Sequence, residues 1–125
     1  MASAAVRGQL LAVGARVHGA PVSEYAGLAA GLTYYAYDKA TATFWAGAKL
    51  VPKIPSNPNG PPTQAEVSSQ DEGSYTVFTK TSRAKTWRAY DTGLTGQDTR
   101  CPVDVPPGIL RLWGWPPGTC RAPGS

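Results

Sequence analysis

The sequence predicts an α+β domain in which an N-terminal helix packs on an antiparallel meander sheet of four to five strands, and a disulfide clamps a short C-terminal helix. Three observations indicate this fold class. Residues 1–19 carry a helical stripe, residues 32–92 contain β-rich hairpins, and the tail over residues 101–120 holds the only two cysteines. With 14 Gly and 12 Pro among 125 residues, long uninterrupted helices are excluded, and one domain spanning residues 1–125 is expected.

The N-terminal helix is predicted from apolar residues spaced four, three and four apart. These residues are Val6, Leu10, Val13 and Val17. Gly8 and Gly14 each weaken a helix by about 1 kcal/mol relative to Ala, so this helix must depend on tertiary packing. The segment Gly19–Pro21 supplies the stop signal.

A hairpin follows a connection of small residues over 25–31. Its turn is Asp38–Thr41, because an Asp at the first turn position accepts a hydrogen bond from the backbone two residues on. Alternation in the second strand places one apolar set on one face: Phe44, Ala46, Ala48 and Leu50. The next segment, residues 52–62, contains five prolines and is predicted to be an exposed, semi-extended loop.

The second half of the meander is predicted from three further segments. A short strand at Ala65–Ser69 leads through a turn at Asp71–Gly73 into a strand at Ser74–Lys80. A last strand contains Trp87–Tyr90, with Trp87 and Ala89 on one face and Arg88 on the other. Because the connections are short, antiparallel pairing of sequential strands is expected.

Cys101 and Cys120 flank a tail rich in Pro and Gly, and we predict a disulfide between them. Free thiols are the alternative. A metal site is excluded because His18 is the only histidine, and structural zinc sites rarely use carboxylates. A disulfide implies an oxidising compartment and therefore export. Between the cysteines, Val105–Trp113 is predicted to form a short helix with Pro in its first turn.

The sequence gives little support for a catalytic, cofactor or nucleic-acid site. A formal charge of +4 is scattered along the chain, apart from a small cluster formed by Lys80, Arg83, Lys85 and Arg88, and no nucleic-acid motif is present. His18 is expected to cap the first helix, and Asp71 and Glu72 are expected to lie in a turn. The sequence therefore predicts a non-enzyme without cofactors, a hydrolase being the less favoured alternative.

Binding is the remaining function class. The hairpins carry more aromatic residues than one helix-packed face requires, and exposed aromatic rings anchor protein interfaces or stack on sugars. The alternative is that the rings shield a small core. Our candidate binding residues come from these hairpins and from the start of the proline-rich loop: Trp45, Trp87, Tyr34, Tyr90, Lys53 and Ile54. One hypothesis is that the loop inserts as a stiff segment into a cleft of a partner protein. The alternative is that it only connects two hairpins.

Three stretches of the sequence resemble small exported or lipid-anchored proteins of high-GC actinobacteria. They are TYYAYDKATATFWAGAKLVP, QDEGSYTVFTKTSRAKTWRAYDTG and CPVDVPPGILRLWGWPPGTC. The resemblance covers most of the chain and implies a location but no activity. We therefore expect a secreted or cell-surface domain whose signal peptide is absent from these 125 residues, and whose partner is another extracellular protein. A polysaccharide of the cell wall is the alternative ligand.

Overall fold

The α+β class is confirmed by a computed structural model that describes residues 3–54, 59–72, 75–91 and 101–120. The elements in chain order are α1 (Ala4–Val17), β1 (Tyr25–Leu28), β2 (Tyr34–Asp38), β3 (Thr43–Pro52), α2 (Gln64–Glu72), β4 (Tyr75–Thr81), β5 (Arg88–Asp91) and α3 (Pro107–Trp113). A short 3-10 turn at Val22–Glu24 precedes β1.

The sheet is antiparallel, and strands β2 to β5 pair in chain order, which confirms the meander. The β2–β3 hairpin closes at the pair Asp38 and Thr43. β1 pairs with the last residues of β3, so that Leu28 lies opposite Leu50. The sequence-based expectation of a simple connection over residues 25–31 was therefore wrong, because Tyr25–Leu28 form a strand that pairs with β3.

Helix α1 begins and ends as its sequence predicts. The Ser3 side chain accepts a hydrogen bond from the backbone N–H of Val6 at 3.2 Å, and the helix ends at His18, followed by Gly19 with φ of 72°. Leu10, in the predicted stripe, is fully buried. Gly14 lies against the sheet, since a Cβ atom there would be 3.0 Å from Leu50 Cδ2. This glycine costs helix propensity and permits close approach to the sheet.

The turn of the first hairpin is formed by the predicted aspartate. Asp38 Oδ1 accepts a hydrogen bond from the backbone N–H of Ala40 at 3.2 Å, and Oδ2 accepts one from Thr41 Oγ1 at 2.8 Å. Both contacts are local, so the turn conformation depends little on the rest of the domain.

Helix α2 replaces the strand predicted at Ala65–Ser69, and Asp71 and Glu72 belong to this helix and not to a turn. The predicted strand was wrong because a capping box was overlooked. The Glu66 carboxylate accepts hydrogen bonds from the backbone and the hydroxyl of Thr63, and the backbone N–H of Glu66 donates to Thr63 Oγ1. Thr followed three residues later by Glu, after prolines that prevent an earlier start, is the sequence signal of a helix N-terminus.

Both faces of the sheet are covered, so the domain has three layers. On one face α1 packs on Ala46, Ala48 and Leu50 of β3. On the other face α3 and the residues that follow it pack on Trp45. There Tyr34, Tyr75, Trp113 and Trp115 form an aromatic cluster, in which the ring centroids of Trp113 and Trp115 are 4.8 Å apart.

The predicted disulfide is confirmed. Cys101 and Cys120 are bonded, are 19 residues apart in sequence, and have Cα atoms separated by 4.7 Å. Between them α3 begins with a proline at its first position and ends at Gly114, which has φ of 77°. Cys120 is completely buried in the aromatic half of the core. The disulfide therefore closes the segment that contains α3 on itself.

Candidate binding site

The two tryptophans nominated as binding anchors are core residues. Trp45 is 7% exposed and Trp87 is 5% exposed. Trp87 also donates a hydrogen bond from its indole N–H to Gln9 Oε1 on α1, at 3.1 Å. The expectation that these rings project into solvent was therefore wrong for both. The physical reason is that each sheet face is covered by its own helical layer, and the aromatic rings of the sheet pack against these layers.

The other nominated residues divide between the core and the surface. Tyr34 belongs to the aromatic cluster, with its ring centroid 5.1 Å from that of Trp115. Tyr90 is half-buried on β5. Lys53 is exposed, although its backbone N–H donates to the carbonyl of Glu24 at 2.9 Å, and Ile54 is 93% exposed. Residues 55–58 of the predicted loop interface lie outside the described residues.

An open depression lies where the end of α1 meets β5. Its volume is about 460 Å³. Its walls are formed by Val13, Arg16 and Val17 from α1 and by Trp87, Arg88, Ala89 and Tyr90 from β5 and the residue before it. Only Trp87 and Tyr90 of this set were nominated from sequence. Val13 and Val17 belong to the predicted apolar stripe of α1, and a helical stripe does not show where the covered surface ends. Arg16 was not among the candidate residues.

The depression combines apolar and positively charged groups. Val17 is 43% exposed, although it continues the apolar stripe of α1. Arg16 and Arg88 are both exposed, and no acidic residue lines the walls. Within the described ranges neither guanidinium forms an ion pair. The site therefore offers two cations above a partly exposed apolar floor, which suits a ligand that is both apolar and anionic.

A polar cluster separate from the depression is buried between α1, α2 and β4. His18 Nδ1 lies 2.9 Å from Ser68 Oγ, and His18 Nε2 lies 3.1 Å from Thr76 Oγ1. A serine within hydrogen-bonding distance of a histidine has the geometry of an activated nucleophile. All three side chains are buried, however, so a substrate cannot reach the serine in this conformation. The cluster ties three elements together, and a role beyond helix capping for His18 was not predicted.

Neither a metal centre nor a membrane span is recognisable in the described parts of the chain. No three or more His, Cys, Asp and Glu side chains there are grouped closely enough to hold a metal ion. No helix within the described ranges is long and apolar enough to cross a membrane.

Fold and site together define a disulfide-closed, three-layer α+β domain with a cationic, partly apolar depression at one end of its sheet. Comparison with protein families, with functionally characterised proteins and with solved structures finds no match to this chain. The function of this chain is therefore inferred from the site itself.

Proposed function

We propose that this chain is a non-catalytic, extracellular protein-interaction domain that binds its partner at the depression between α1 and β5. The observation that carries the proposal is the composition of the walls. Arg and aromatic residues are enriched at protein interfaces, and Arg16, Arg88 and Tyr90 line the same depression as the exposed side chain of Val17. Such a combination provides an apolar anchor together with charged groups that orient a partner.

The extracellular part of the proposal is supported by the disulfide. Disulfides persist in oxidising compartments and are rare in the reducing cytosol. The bond between Cys101 and Cys120 holds a layer that contains two buried tryptophans, Trp113 and Trp115. The resemblance to small exported actinobacterial proteins favours the same location.

The non-catalytic part is supported by burial. The imidazole of His18 lies at hydrogen-bonding distance from the hydroxyls of Ser68 and Thr76, and all three side chains are buried. The carbohydrate alternative relied on exposed Trp and Tyr rings. Trp45 and Trp87 are packed in the core, and Tyr37 is the only aromatic residue that is exposed among the described residues. We therefore do not propose a second function.

Partner capture from culture supernatant with matched variants tests the proposal. We expect Val17→Glu to reduce capture at least tenfold, because it places an anion and a desolvation penalty on the apolar floor. Leu112→Glu is the control, because Leu112 is 70% exposed on α3 and lies outside the depression. It should bind like the unsubstituted protein.

A third variant tests whether the partner binds at the depression or at the proline-rich loop. Ile54→Glu changes the most exposed large apolar side chain near that loop and should leave capture unchanged. Loss of capture with Ile54→Glu alone would move the interface to the loop. Equal capture by all three variants would contradict binding at the depression.

A further inference from the structure

The depression follows the edge of the sheet and not one of its faces. Successive side chains of a strand point to opposite faces, yet the consecutive β5 residues Arg88, Ala89 and Tyr90 line the same depression. A depression at the edge of a sheet can be reached from both faces. β5 is the terminal strand of the described sheet, in the order β1, β3, β4, β5.

The outer side of β5 has no backbone partner among the described residues. β5 pairs with β4 through the register Thr79 to Arg88 and Phe78 to Ala89, and no other backbone hydrogen bond of Arg88, Ala89 or Tyr90 occurs within the described ranges. An edge strand presents N–H and C=O groups that pair readily with another extended chain. Among the described residues, this edge is therefore available to pair with an added strand.

The side chains along the edge favour a particular alternating sequence in that strand. Ala89 lies on the α1 side of the sheet together with Val13 and Val17, whereas Arg88 and Tyr90 alternate onto the other side. An added strand also alternates its side chains between the faces. Apolar residues would meet the α1 side, and acidic residues between them would meet Arg88, while Arg16 attracts carboxylates at the rim.

We infer that the depression binds an extended, acidic segment of a partner protein, whose residues alternate between apolar and acidic and which adds to β5 as a further antiparallel or parallel strand. This inference rests on the proposed function and specifies its ligand. Backbone hydrogen bonds would supply affinity, and the arginines would select the charge of the segment.

The test uses the whole domain and a capped hexapeptide, Val-Glu-Val-Glu-Val-Glu, followed by NMR. We expect the backbone amide signals of Ala89 and Tyr90 to shift in a saturable manner. Two control peptides separate charge from pairing. Val-Lys-Val-Lys-Val-Lys reverses the charge, and a version with every second amide N-methylated keeps the charge but loses backbone donors. Both should bind at least fivefold more weakly.

Protein variants test the arginines. Each exposed ion pair contributes little, so Arg16→Gln and Arg88→Gln should each weaken peptide binding by up to about fivefold, and the double variant by up to about 25-fold. Arg83→Gln is the matched control, because it removes the same charge from an exposed turn residue outside the depression. It should change binding less than twofold.

The outcomes distinguish this inference from the proposed function. Absence of amide shifts at β5 in several millimolar peptide, or equal binding of the N-methylated peptide, would overturn strand addition. If Val17→Glu still abolished partner capture in that case, the depression would remain the interface and only the nature of its ligand would be wrong. Equal effects of Arg83→Gln and Arg88→Gln would show that only the net charge of the domain attracts the peptide. This result would also overturn the inference.

Discussion

Replacing Gly47 by Ala tests the contact between the sheet and the C-terminal layer. A Cβ atom on Gly47 would lie 2.7 Å from Trp115 Cη2 and 3.0 Å from Tyr75 Oη. Carbon atoms in contact are normally about 3.5–4.0 Å apart, so the indole must retreat by about 1 Å. It has little room, because Trp115 packs edge-on against Tyr75, which is held by a hydrogen bond to the Leu32 carbonyl.

The expected effect follows from two opposing terms. Overpacking of a filled core costs about 1–3 kcal/mol, and replacing a strand glycine by Ala returns about 0.5–1 kcal/mol of backbone entropy. The free energy of unfolding should therefore fall by about 1–2 kcal/mol. Urea denaturation followed by tryptophan fluorescence measures it, and an unchanged m-value would show that the change lies in stability.

A second glycine provides a control in which the expected change in stability has the opposite sign. Gly8 lies in α1 with no atom within 4 Å of an added Cβ, so Gly8→Ala should raise stability by about 0.5–1 kcal/mol through helix propensity alone. In a double variant with Trp115→Leu, Gly47→Ala should cost less than in the unsubstituted protein, because the closest of the clashing rings is removed. If Gly47→Ala proved as stable as the unsubstituted protein, the packing of Trp115 on β3 would be refuted.

Three further perturbations report on the disulfide, the buried histidine and the buried tyrosine. Replacing Cys101 and Cys120 by Ser should lower the free energy of unfolding by about 3 kcal/mol, because the unfolded chain gains loop entropy. Thiol titration of the unsubstituted protein, unfolded without reductant, should find no free thiol. Two free thiols would contradict the bond. His18→Ala should cost about 2–4 kcal/mol in urea denaturation, because it leaves the hydroxyls of Ser68 and Thr76 without the imidazole, and an effect below 0.5 kcal/mol would argue against the cluster. Burial, with a smaller contribution from Tyr34, raises the pKa of Tyr75 far above its ordinary value, so the unfolded chain ionises first and stability should fall as pH rises above about 10. In a titration at 295 nm, phenolate absorbance of one tyrosine should appear only with unfolding; ionisation of all six tyrosines in the folded state would contradict this expectation.

Local chemistry explains which elements were predicted correctly. The turn at Asp38 is closed by its own side chain, and α1 carries its stop signal at Gly19. The one helix that was missed, α2, also has a local signal, since Thr63 and Glu66 form a capping box. Its apolar content is too low to show helical periodicity, so the caps were the only available clue. β1 had no such clue, because its pairing with β3 is a long-range contact.

The candidate site was predicted less well than the fold. Aromatic content indicated a binding surface, but the same residues fill a core when helices cover both faces, as Trp45 and Trp87 do. The residues that form the depression come from α1 and β5, some seventy positions apart in the sequence. No pattern within either segment reveals that Arg16 and Arg88 lie beside the same strand edge.

Short-range patterns thus determine where this chain turns, where α1 and α3 begin and end, and which side chains alternate across β3, because hydrogen bonds and sterics between near neighbours decide these features. Burial is decided by distant segments. The packing of Trp115 over Gly47 and of α1 over Leu50 determines which aromatic residues leave the surface, and in the described part of the chain β5 is the terminal strand of the sheet, beside two arginines. Solvent access depends on what lies opposite each residue, and only the assembled tertiary structure brings those partners together.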